Sequence, residues 1–163
     1  MLQRIQTVFL ILAALLGISI FLFPLTTFTV KDCTFDIFIT GCKNIASACP
    51  YVFQIKTYFH MIILILIILL CISTIFLYKK RNLQMRLCRF VIMSNIVFVF
   101  LVFMFADTIK NRFIKDYGIL PDDITASFKL GSIIPLVMIV LLFLANHFIK
   151  KDENLIKSAD RLR

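Results

Sequence analysis

HMIILILIILLCISTIFL, residues 60–77, runs through eighteen positions without one Asp, Glu, Lys or Arg. At 1.5 Å per residue such a helix covers about 27 Å, close to the roughly 30 Å of hydrocarbon in a bilayer. A helix on a soluble core keeps a polar face for water, and this stretch has none. Tyr58 and Tyr78 bracket it as interfacial rings do. It predicts a membrane-crossing helix over about 58–78.

Three other blocks read the same way: TVFLILAALLGISIFLFPLTT at 7–27, FVIMSNIVFVFLVFMFA at 90–106 and LGSIIPLVMIVLLFLANHFI at 130–149. The 163 residues are 61% hydrophobic and only 17% charged, against roughly 45–50% and 25% in soluble domains. The expected fold is therefore an all-α integral membrane protein, a four-transmembrane-helix bundle in one domain. Outer loops at 28–57 and 107–129, a connection at 79–89 and a tail at 150–163 complete it. The first block exceeds the roughly 7–15 apolar residues of a secretory signal and lacks a small-x-small cleavage site, so it is expected to remain as the first span.

Lys and Arg near span ends set orientation. Arg4, the connection (Lys79, Lys80, Arg81, Arg86, Arg89) and the tail (Lys150, Lys151, Lys157, Arg161, Arg163) place eleven cations on one side, against seven over the much longer outer loops. Both termini are expected in the cytoplasm of a bacterium, the chain being multi-pass in its inner membrane. The net charge of +9 then sits at that face, where it orients the protein and attracts anionic lipid headgroups. No nucleic-acid module accompanies the basic residues, so nucleic acid is not an expected partner.

In the first outer loop TTFTVKDCTFDIFITG is rich in β-formers, which predicts a small extracytoplasmic cap after the first helix, readable as a β-hairpin with Gly41 ending a strand. In the second, Tyr117-Gly118 signals a turn and Pro121 to Asp123 is expected to start the helix leading into the fourth span. Cys33, Cys42 and Cys49 in an oxidising compartment predict one disulfide and one leftover thiol, with the pairing open. Adding His60 gives a tetrahedral donor set, but the nine- and seven-residue spacings match no zinc module and there is no C-x-x-C for thiol-oxidase chemistry. No metal, cofactor or catalytic residue is assigned.

The span interiors hold no charged residue, which argues against an ion or proton pathway. They hold packing signals instead: Ala13 and Gly17 form a small-xxx-small pair, and Gly131 with Pro135 a thin or kinked segment. Measured inward from the cytoplasmic cations, Ser73, Thr74, Ser94, Asn95, Asn146 and His147 are expected in one intramembrane polar layer. That layer reads either as interhelical glue or as a seat for a small polar ligand.

The ending KKDENLIKSADRLR continues with helical periodicity through Leu155, Ala159 and Leu162, with Glu153 and Lys157 paired at i,i+4. Its acids favour a protein contact over headgroups alone, or a fold-back onto the basic connection. Together with MLQRIQTVFL at the start and RNLQMRLC in the connection, this ending resembles an uncharacterised four-span inner-membrane family of Bacteroidetes-type bacteria, catalogued as domain of unknown function 4293. The resemblance carries no activity. It maps the family's characteristic residues onto Gln3, Arg4, Gln6, Thr7, Gln84, Arg86, Ser158, Ala159, Asp160, Arg161 and Arg163.

These positions share the cytoplasmic face that charge defines. The functional expectation is a non-enzymatic accessory or scaffolding subunit of a larger inner-membrane complex, docking on other membrane proteins through Gln3, Arg4, Gln84, Arg86, Ser158, Asp160, Arg161 and Arg163. The rivals are a small-molecule or lipid binder, or membrane enzyme, using the polar layer, and redox or metal chemistry in the outer loop; no small-molecule substrate is identified.

Overall fold

The computed structural model describes residues 3–30, 33–44, 57–77 and 80–161. Helix α1 (Gln3–Ser19) leads into strands β1 (Thr26–Val30), β2 (Cys33–Phe38) and β3 (Gly41–Asn44). Helices α2 (Tyr58–Phe76) and α3 (Arg81–Tyr117) follow, then a 3-10 turn (Pro121–Asp123), strand β4 (Ile124–Phe128) and helix α4 (Leu130–Arg161).

The fold is not all-α. A four-stranded antiparallel sheet of order β3-β2-β1-β4 is built into it, larger than the hairpin expected. The unforeseen member is β4, which pairs with β1 from Thr26 opposite Phe128 to Val30 opposite Ile124. Pro121 to Asp123 therefore starts no helix. Leu120 is extended, as residues before proline must be, and the 3-10 turn delivers Ile124 and Thr125, both β-branched, straight into a strand. Gly41 opens β3 rather than closing β2.

Four spans are likewise not what the lengths support. Tyr58–Phe76, Asn82–Tyr117 and Leu130–Leu155 are long and apolar enough to cross a membrane, whereas the apolar part of α1, Ile5–Ser19, is shorter. The reason is local. Pro24 disfavours a helical Phe23, the chain turns over 20–24, and Leu25 already donates its N–H to Ile37 O in the sheet (2.8 Å), so the apolar letters after Ser19 are spent on turn and strand. Conversely, α3 absorbs most of the expected connection at 79–89 and half of the expected outer loop. It stops at Gly118, whose φ of 62° is the left-handed cap conformation that glycine adopts without strain.

Two apolar clusters hold the molecule. In the helical one, α1 packs on α2 and α4, and α3 on α2 and α4, around Leu10, Ala13, Leu64, Ile67, Cys71, Val91, Phe98, Met138 and Leu142. Gly17 permits a close approach of α1 to α2 and α4: a Cβ there would lie 2.9 Å from Ile68 Cγ1 and 3.3 Å from Met138 Cε. In the second cluster the inward residues of β2 (Cys33, Phe35, Ile37), with Phe28 and Val30 of β1, cover the end of α3 at Ala106, Ile109 and Phe113. The Phe113 ring lies 5.5 Å from that of Phe35 and 6.4 Å from that of Phe28.

One seam joins the clusters. Gly131 N–H donates to Pro24 O (3.0 Å), Lys129 N–H to Leu25 O (3.0 Å) and Ser132 Oγ to Leu25 O (2.5 Å), fastening the start of α4 to the chain leaving α1. The outward faces remain apolar: Val8, Leu15, Ile62, Leu69, Met93, Phe100, Val140 and Phe143 are all exposed. A soluble surface does not carry a belt of that extent, and a bilayer requires one.

Candidate functional site at the polar end of the helix core

Each helix buries one stripe, and at the end remote from the sheet every stripe finishes in a polar residue. On α1 it runs Gly17, Ala13, Leu10 to Gln6; on α2 Ile67, Cys71 to Thr74; on α3 Phe98, Asn95, Val91, Cys88 to Gln84; on α4 Met138, Leu142, Ala145, Ile149 to Asp152. Contacts between helices set their levels. Phe9 stacks on Phe148 with ring centres 5.6 Å apart, which puts Gln6 level with Asp152 on neighbouring helices. Gln84 Nε2 donates to Thr74 O at 3.2 Å. The Cys88 thiol reaches Leu142 O at 3.6 Å, so Gln84 and Thr74 lie about a turn and a half deeper than Asp152.

This end is short of donors. Gln6 Oε1, Gln84 Oε1 and both carboxylate oxygens of Asp152 are buried without a hydrogen-bond partner, four of the six such atoms among the described residues. Thr74 does not help, since its hydroxyl is turned back to Leu70 O (2.8 Å). Around this plate Lys80, Arg86, Arg89, Lys150 and Lys151 are exposed.

The six residues expected in one polar layer are not together. Asn95 Nδ2 donates to Pro135 O at 3.0 Å, eleven residues and about 16 Å along α4 from Asn146. The cause is that helix α3 begins at Arg81, so Asn95 lies four turns inside it, whereas depth counted from Arg89 made it shallow. Ser94 is half-buried beside it, Ser73 is exposed with its hydroxyl on Leu69 O (2.8 Å), and His147 is exposed. Of the six, Ser73, Thr74, Asn146 and His147 stay near the basic end, and Ser94 and Asn95 do not. Of the expected docking residues, Gln84 is buried and Arg86 exposed. Ser158, Asp160 and Arg161 lie in α4, but their side chains, those of Gln3 and Arg4, and all of Arg163 are outside the described residues. Gln6 and Asp152 were the residues that sequence undervalued; the signal for both was position, at the end of an apolar i, i+3/i+4 stripe.

At the sheet, Cys33 is disulfide-bonded, Cys42 is a free thiol and Cys49 lies outside the described residues. Burial, assisted by the neighbouring Asp36 carboxylate, pushes the Cys42 thiol up to about 11. That suppresses the thiolate on which redox or metal chemistry depends. Asp36 itself accepts a 2.5 Å hydrogen bond from Thr27 Oγ1. His60, buried at the sheet end of α2, packs 4.4 Å from the Phe105 ring. Among the described residues no three His, Cys, Asp or Glu converge as metal ligands.

Among the described residues three helices are long and apolar enough to cross a membrane, and together with the exposed apolar belt and a sheet fastened across one end they are compatible with a small helical membrane protein carrying a β cap. Within that class the chain belongs to the family described as Domain of unknown function (DUF4293), whose model matches residues 2–162. Among curated proteins, none matches the chain.

Proposed function

We propose that this protein is a non-enzymatic accessory subunit of a bacterial inner-membrane assembly, docking on another membrane protein through the basic end of its helices, with that end in the cytoplasm. The observation that carries the proposal is the set of unpaired buried oxygens on Gln6, Gln84 and Asp152. A buried acceptor left without a donor costs about 1–3 kcal/mol, more when charged. An Arg, Lys or backbone N–H from a partner closing over the end of the core removes that cost, and it does so only at the right partner. The exposed cations around the plate add orientation, and helix α4, continuing to Arg161, gives a partner a surface beyond the apolar belt.

The test is purification of the tagged chain from its native membrane in mild detergent, followed by mass spectrometry. The full chain is compared with one truncated after Lys151, which loses Asp152 and the last turns of α4. A stoichiometric partner present with the full chain and lost on truncation is the expected result. A lone protein in both samples contradicts docking.

A further inference from the structure

We infer that the outward face of α4 is a binding site for one anionic phospholipid, its phosphate held between Lys150 and Lys151 and its acyl chains lying along Val140 and Phe143. In sequence KKDEN looks balanced, two cations followed by two acids. The helix sorts them. Asp152 ends the buried stripe and is only 7% exposed, and Glu153 is half-buried and already engaged, whereas Lys150 and Lys151 face outward. The exposed face is therefore basic, against the sequence expectation that acids would steer this segment away from headgroups.

The shape fits the charge. His147, Lys150, Lys151, Asn154 and Leu155 line a groove of about 500 Å³. The spacing i, i+3, i+4, i+7 puts His147, Lys150, Lys151 and Asn154 on one helical face, and one and two turns further into the membrane the same face carries Phe143 (63% exposed) and Val140 (59% exposed). From Val140 to Lys150 is about 15 Å, half the thickness of the hydrocarbon. An amphiphile with an anionic head satisfies both halves of this stripe; a soluble anion satisfies only the basic half, and an apolar partner helix only the other. Two ammonium groups and the Asn154 amide supply the donors that phosphate oxygens accept.

The inference rests on α4 being a span whose basic end meets the membrane surface, and is independent of any docking partner. The experiment is native mass spectrometry of the full chain in detergent, titrated with phosphatidylglycerol or phosphatidylcholine. The Lys150→Gln/Lys151→Gln variant is compared with a Lys80→Gln/Arg89→Gln control that removes the same charge from the other exposed surface. Each lysine near a headgroup contributes about fivefold, so the first variant should bind phosphatidylglycerol about thirtyfold more weakly while the control keeps it. Phosphatidylcholine should bind weakly throughout, and glycerol phosphate should not compete at concentrations where the lipid saturates. Equal loss in both variants would reduce the effect to net charge and overturn the site, as would effective competition by glycerol phosphate. Alkaline carbonate extraction separates the underlying reading: release from the membrane removes the span and the site together, whereas retention with unchanged lipid binding in the first variant removes the site alone.

Discussion

Gly131→Ala places a methyl group where the chain leaving α1 already stands. The added Cβ would lie 2.5 Å from Pro24 O, 2.8 Å from Pro24 C and 2.9 Å from Phe23 O. All three are backbone atoms, so no side chain can swing aside, and the start of α4 must retreat by most of an ångström. The retreat strains three hydrogen bonds of the seam, from Gly131 N, Lys129 N and Ser132 Oγ. At about 0.7 kcal/mol for each of the three bonds weakened, plus about 2 kcal/mol for overpacking and less about 1 kcal/mol gained in helix propensity, the expected loss is roughly 3 kcal/mol. For a chain of this length that is a fall of about 6–12 °C in Tm, read by the heat-induced loss of helical circular dichroism in detergent. Gly17→Ala is the internal comparison. Its Cβ meets side-chain atoms only, Ile68 Cγ1 at 2.9 Å and Met138 Cε at 3.3 Å, which can give more readily than backbone, so it should cost less. Gly131→Ala as stable as the parent, or less harmful than Gly17→Ala, would refute the seam.

Asn95→Leu exchanges one hydrogen bond to Pro135 O for relief of the unpaired Oδ1, and stability should stay within about 1 kcal/mol of the parent by the same melt. Asp152→Asn should leave the isolated protein at least as stable by the same melt, because it keeps the shape and brings amide N–H donors to a set of unpaired buried oxygens, while weakening any complex formed at that end. Cys42, held up at about 11, should be alkylated at pH 8 about a hundredfold more slowly than an unperturbed thiol. The sign for stability follows: the unfolded thiol ionises near 9 and the folded one near 11, so its contribution is flat below pH 9 and falls as pH rises from 9 to 11.

Much of the helical part was legible because a bilayer imposes a length: the charge-free runs expected at 58–78, 90–106 and 130–149 correspond to the helices Tyr58–Phe76, Asn82–Tyr117 and Leu130–Leu155, all of spanning length. Ala13 and Gly17 read as packing residues, and both are buried between helices. What escaped was long-range. ITASF at 124–128 shows no strong alternation, because β4 buries only Ile124, and its strand character comes from pairing with β1 a hundred residues earlier. The same cause hid the end of α1, where apolar letters continue past Ser19 but Pro24 and the sheet take them. The polar layer was misplaced for a third reason. Charges were taken as the helix boundary, yet α3 carries Arg86 and Arg89 within its own first turns, and that offset moved Asn95 to mid-depth.

The basic end, and not the sheet, is the proposed contact surface. A photo-crosslinking amino acid at Arg86 or at Arg89, both exposed on α3, compared with one at Thr125 in β4, tests it in the native membrane. One discrete protein adduct is expected from the first two sites, reduced by Asp152→Asn, and none from Thr125. An adduct from Thr125 alone, or adducts at the basic end that Asp152→Asn leaves unchanged, would contradict it.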